Sequence, residues 1–156
     1  PSYQRWLFGL SVVTSASSAQ QNIRKKNDFT LSAQKKISAV TRYTLSSAIT
    51  DRINVPLSAT NRQRNLRITA TNNQALYNEG RRLSNQYADD LTLVNSVLTR
   101  FNQQRYHYTL NPPLLSNNSL SEFYFNTKSG FCEHYASSFT YLMRAAGIPA
   151  RMVLGY

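Results

Sequence analysis

The 156-residue chain predicts an α+β fold, with an antiparallel β-sheet or partial sandwich first and a helix-rich segment after it. Three observations carry this expectation. Residues 1 to 70 hold short alternating or β-branched stretches set between Ser, Thr, Asn and Lys clusters, the pattern of half-buried strands. From Asn72 the apolar spacing lengthens to three and four residues, the period of a helix face. The last stretch, "SGFCEHYASSFTYLMRAAGIPARMVLGY", opens on a small-residue turn and continues as a further amphipathic pattern. The change of period sets a domain boundary near residue 70: a β-rich domain over 1–70, and a second domain over 71–156.

Within the first domain, "YQRWLFGLSVV", "DFTLSA", "KKISAVTRYTLSSAI" and "RNLRITA" read as strands. Trp6, Phe8, Leu10 and Val12 alternate, as do Ile37 and Ala39, with Tyr43 and Leu45 continuing the pattern; each set is expected to face a core. In the second domain, Leu76, Gly80, Leu83 and Tyr87 mark one helix. Asp89 or Asp90 can cap another that carries Leu91, Val94, Val97, Leu98 and Phe101 on one face. "RYHYTL" then alternates like a short strand. "NPPLLSNNSLSE" is a loop, because Pro112 and Pro113 lack amide donors and each forces its predecessor out of helical geometry.

Gly130 is placed to cap the next helix, putting Cys132 in its first turn and Glu133 where its carboxylate can reach back to the cap. Tyr135, Ala136, Phe139, Leu142, Met143 and Ala146 form a stripe with Cys132 at its upper end, so the thiol is expected to face the core. Gly147 and Pro149 close the helix. A helix start favours an anion and gathers free backbone amides where an oxyanion would form. A lone cysteine on an apolar face is equally an ordinary packing residue, and position alone leaves both readings open. His134 follows two residues later, about 200° round the helix, which directs it away from Cys132 to a surface or supporting position. His107, on "RYHYTL", is the other candidate base and also reads as a structural strand residue.

Eighteen Lys and Arg against seven Asp and Glu give a net charge of +11. Eleven of the basic residues, against Asp28 and Asp51 alone, lie in residues 1 to 70, a surplus of +9. Such a segment suits an anionic lipid surface, an acidic wall polymer or nucleic acid, or is simply a solvated face. Nucleic acid is the weakest of these partners, since aromatics do not interleave with the basic residues. A single cysteine excludes an internal disulfide. No apolar run approaches the ~20 residues that span a bilayer, and no glycine-rich phosphate loop or metal-ligand cluster stands out, so neither cofactor nor metal is expected. The chain begins at Pro1 with no Met and no signal region, as expected of a segment of a longer protein.

The string "GFCEHYASSFTYLMRAAGIPARMVLGY" resembles the nucleophile motif of the transglutaminase-like superfamily, whose members share a papain-like Cys-His-Asp core. With "YHYTLNPPLL" and "FYF" ahead of it, the chain is most similar to the bacterial membrane-anchored group of that superfamily over residues 101 to 156, with weaker support from "RWLFGL". The resemblance implies that Cys132 is the catalytic nucleophile, that its helix packs on an antiparallel sheet, and that "IPARMVLGY" is the first strand after it. It also implies a periplasmic setting in a parent protein with membrane helices, and a protein or peptide substrate offering a side-chain or backbone amide. The family's His and Asp lie on later strands, beyond the equivalent of Tyr156, so residues 1–156 alone are expected to show no turnover. The family often has an acid just before this aromatic segment; here Ser121 stands ahead of "EFYF", and Glu122 is the residue that could stand in. The alternative expectation is a non-catalytic module docking an anionic surface or cell-envelope partner.

Overall fold

A Cβ on Gly9 would lie 2.5 Å from Val13 Cγ2, so the chain just after the first strand closes on the buried Val13 side chain as only a glycine can. The structure is a computed structural model that describes residues 3–10, 12–26, 29–50, 56–69 and 72–153. They fall into two units, Pro1–Pro56 and Leu57–Tyr156. The change of period near residue 70 lies inside the second.

In the first unit, β1 (Trp6–Leu7), β4 (Leu31–Ala33) and β3 (Ile23–Lys25) form an antiparallel sheet in the order β1-β4-β3. β2 (Val12–Ser17) pairs antiparallel with β5 (Thr44–Ala48), with a register shift between Val13 and Ser15. Val13, Leu31, Ala33 and Ile37 are buried. The expected inward stripe of Trp6, Phe8 and Leu10 is instead exposed, at 55%, 67% and 80%. Leu7, between Trp6 and Phe8, is half-buried instead, and Gly9 sits against Val13.

Near the start of the second unit, the strand expected over "RNLRITA" (64–70) does not form: a helix takes its first three residues, 67–69 are irregular, and Ala70 lies outside the described residues. α1 (Ala59–Leu66) forms instead, capped by Ser58, whose Oγ accepts the Asn61 N–H at 3.3 Å. Ala, Gln and Arg favour a helix, but α1 buries no residue, so it lacks the apolar stripe by which helices are read. α2 (Gln74–Gln86) buries Leu76, Gly80 and Leu83, as its spacing predicts. α3 (Asp90–Gln103) is capped by the Asp89 carboxylate, which accepts the Thr92 N–H at 2.7 Å. Its buried residues are Leu93 and Val97, while Leu91 and Leu98 are exposed, so the inner face is rotated from the one expected.

α5 (Cys132–Ala145) packs on α2 where Gly80 lets the two backbones close up: a Cβ on Gly80 would lie 2.5 Å from Ala145 Cβ and 2.9 Å from the Leu142 carbonyl oxygen. Leu76, Leu83, Leu93, Val97, Tyr124, Tyr141, Leu142, Met143 and Ala146 form the core around this contact. Arg144 ties α5 to the chain on either side of it, donating from Nε to the Ala150 carbonyl and from a terminal nitrogen to the Arg67 carbonyl, both at 2.8 Å. The Ala150 N–H in turn donates to Asn65 O. Residues 148–153 therefore take no strand, contrary to the expectation for "IPARMVLGY", whose last three residues lie outside the described ones. Among the described residues no helix is long and apolar enough to cross a membrane.

Candidate active site

The start of α5 is built by three short pieces. α4 (Ser119–Glu122) runs into a π-helical turn over Phe123–Thr127, which Lys128 ends in the left-handed region at φ 49°, its N–H returning to Phe123 O. That reversal aims β7 (Ser129–Gly130) alongside β6 (His107–Tyr108), and the two pair in parallel with His107 opposite Ser129 and Tyr108 opposite Gly130. The His107 N–H donates to Lys128 O at 2.7 Å, and the Thr109 N–H to Gly130 O at 2.9 Å. With Gly130 held in this ladder, the helix begins one residue later than expected. Phe131 is its N-cap, at φ −109° and ψ −176°, and Cys132 its first residue.

The capping group changes accordingly. His134, not Glu133, occupies the third helical position, and its Nδ1 accepts the Phe131 N–H at 3.3 Å. The His134 ring meets Phe131 edge-on at 4.4 Å and leans on Phe123 at 5.5 Å. It thus supports the helix start, as its offset from Cys132 predicts. Glu133 is exposed, and so is Cys132. The expectation of a core-facing thiol is corrected here: the buried residues of α5 are Ser138, Tyr141, Leu142, Met143 and Ala145. At about 100° per residue, Cys132 falls at the flank of that face.

Beneath the first turn lies an aromatic cluster. Tyr135 meets Phe123 at 4.9 Å and Phe101 at 5.5 Å, both edge-on, and Tyr106 meets Phe101 at 4.9 Å. The Tyr106 hydroxyl donates to Tyr124 O at 2.7 Å. Burial pushes the phenols of Tyr106 and Tyr124 above their ordinary value, against the pull of Arg100. Tyr108, on β6, stacks on Tyr135 with centroids 6.3 Å apart and planes 23° apart. Neighbouring strand residues point to opposite sides, so His107 is turned away from the surface on which Tyr108 meets α5.

Ser121 and Glu122 have other duties. The Ser121 Oγ accepts the Leu76 N–H at 3.3 Å, and its own N–H donates to Asn73 Oδ1 at 3.0 Å, so the pair closes the start of α2. The Glu122 carboxylate accepts from the Ser116 N–H and hydroxyl at 3.0 and 2.8 Å, bonds that hold it below the usual carboxylate range. Sequence reasoning missed the Asn73–Ser121 exchange and the Tyr108–Tyr135 stack. The crowding of aromatics in "YHY" and "FYF" was the available signal for the second.

The segment 80–156 matches the Transglutaminase-like superfamily. Over all 156 residues the chain is 36% identical to the protein-glutamine gamma-glutamyltransferase of Pseudomonas aeruginosa strain PAO1, of which it spans 23%. A 37-residue stretch is 49% identical to the uncharacterized protein YebA of Bacillus subtilis strain 168, covering 24% of this chain and 5% of that one. Two crystal structures of the periplasmic domain of TgpA from P. aeruginosa, one of them bound to ethylmercury, superpose with a TM-score of 0.74 at 32% identity. They cover 96% of this chain, which spans about half of each (52% and 51%). The α+β architecture is therefore that of the TgpA periplasmic domain, and the periplasmic setting implied by the motif agrees with it.

Proposed function

We propose that this chain carries the nucleophile of a transglutaminase-like cysteine enzyme acting in the periplasm, with Cys132 as that nucleophile and a polypeptide amide as its substrate. The observation that carries the reading is the exposed thiol on the first residue of α5. The first-turn amides of a helix have no intrahelical acceptor. Of these, the His134 N–H turns back to Phe131 O, while those of Cys132 and Glu133 stay near the thiol, where the oxyanion of a tetrahedral intermediate would form. The sulfur of Cys132 attacks the amide carbon and the C–N bond breaks. The amine leaves with a proton, and a thioester remains on Sγ. An amine that attacks the thioester gives a crosslink or a modified side chain; water gives the acid.

The thiol proton needs a base within hydrogen-bond reach. His134 is spent on the cap and His107 is turned away, so we assign the base and its orienting acid to the family's later strands, outside these 156 residues. The 156-residue chain alone then shows no turnover, and robust catalysis by it would implicate His107. Iodoacetamide, or an organomercurial of the kind bound by the P. aeruginosa relative, should label Cys132 and abolish amine incorporation by the full-length protein. Undiminished activity after complete labelling would falsify the assignment.

A second reading is favoured by the basic first half: docking onto an anionic envelope surface, with or without catalysis. The surplus of eleven cationic side chains over two carboxylates supports it.

A further inference from the structure

We propose that Tyr108 is a specificity-determining residue, whose outward ring face holds an aromatic or large apolar side chain next to the amide residue of an extended substrate segment. This rests on the reading of Cys132 as the nucleophile. Three observations tie the ring to the segment that carries the thiol. Tyr108 lies opposite Gly130, two residues before Cys132. The Thr109 N–H bond to Gly130 O locks that register. Tyr108 also stacks on Tyr135, which is three positions beyond Cys132 and so its neighbour on the surface of α5.

Tyr135 lies against the Tyr108 ring in an offset stack, and among these 156 residues Tyr108 stays 58% exposed. An immobilised, half-covered aromatic beside a nucleophile offers a flat apolar shelf at small entropic cost, because Tyr135 already fixes its orientation. Tyr135 is itself packed on Phe123 and Phe101, so the shelf stands on the core and not on a mobile loop. Leu110 and Leu114, 75% and 100% exposed, follow in the connection after β6. The substrate class that fits is an unfolded or flexible polypeptide in which the reactive amide is flanked by an aromatic or branched apolar residue.

Two peptides test this, identical except that the residue after the glutamine is Phe in one and Ala in the other. In the intact protein, the Phe peptide should slow iodoacetamide alkylation of Cys132 more than the Ala peptide does, by ~2- to 10-fold, the range set by one aromatic contact. Y108A should remove the difference, each rate being taken relative to that variant's own alkylation without peptide, and Y108F should keep it. Y108L, which retains apolar area without a planar face, should keep only part, and it serves as the probe if Y108A lowers folded yield. Equal protection by the two peptides in the wild type, or an undiminished difference in Y108A and Y108L, overturns the proposal. Amine incorporation, measured in parallel, separates the two claims. Its absence despite a Phe-dependent protection sinks the enzymatic reading and spares the shelf, whereas its presence without any Phe preference does the reverse.

Discussion

Ser121 and Leu76 are 45 positions apart, yet one hydroxyl joins them. The acceptor is buried, so S121A leaves the Leu76 N–H without its partner, at a cost of about 1–3 kcal/mol. The loss should appear as a lower urea midpoint with an unchanged slope. N73A removes the other half of the exchange, and the double variant should cost less than the sum of the singles, since the two bonds act as one unit. Glu79 is a different case. Its carboxylate bonds Arg82 at 2.7 Å and lies 3.8 Å from Arg100, whose guanidinium sits 4.4 Å from the centre of the Tyr124 ring. The Arg82 bond is the largest influence and holds the carboxyl below its ordinary range, against the opposing effect of burial. A depressed folded pKa stabilises above the unfolded value of about 4.3, and that contribution fades as pH falls through the folded value. E79Q should therefore lower stability at pH 7, by about 1 kcal/mol or less because Arg82 is half exposed. The gap from wild type should close below the carboxylate range, as followed by denaturation at pH 7 and pH 3; a constant gap would show that packing, not charge, is at stake.

The contact of α2 with α5 is the element on which the candidate site rests, and Gly80 is its narrowest point. G80A must push Ala145 or the Leu142 carbonyl aside, and overpacking of this kind costs about 1–3 kcal/mol. Because both obstacles include backbone or a short side chain, the strain should move α5 as a body. G80A should thus lower the thermal midpoint and also change the labelling rate of Cys132, while a surface change such as N78A alters neither. α2 and α5 were legible because burial of one stripe leaves a period in the sequence, and the α3 cap was narrowed to Asp89 or Asp90, of which Asp89 fills it. α1 was not legible, since it buries nothing and holds its place through Asn65 and Arg67 carbonyls bonded from afar. The helix start at Cys132 was placed one residue early because Gly130 looks like a cap in isolation. Its strand role comes from parallel pairing with β6, a contact between residues over twenty positions apart that no local pattern encodes.

At the scale of the molecule, positive charge is denser in the first unit. Pro1–Pro56 carries eight Lys and Arg against two Asp, a net +6, while the remaining hundred residues carry ten against five, a net +5. If the basic unit docks an anionic surface, retention on vesicles rich in phosphatidylglycerol should fall steeply between 50 and about 200 mM salt, as the screening length shortens. Neutral vesicles should retain nothing, and no binding at low salt would dismiss the docking reading. The position of Trp6 has a practical corollary for every stability measurement above. It is the chain's sole tryptophan, it sits in the basic unit, and it is already more than half exposed with the Lys26 ammonium 4.8 Å from the ring centre. Its emission therefore reports on the unit without the thiol, and weakly at that. Loss of the helices around Cys132 can pass unseen by tryptophan fluorescence, whereas ellipticity at helical wavelengths follows it directly.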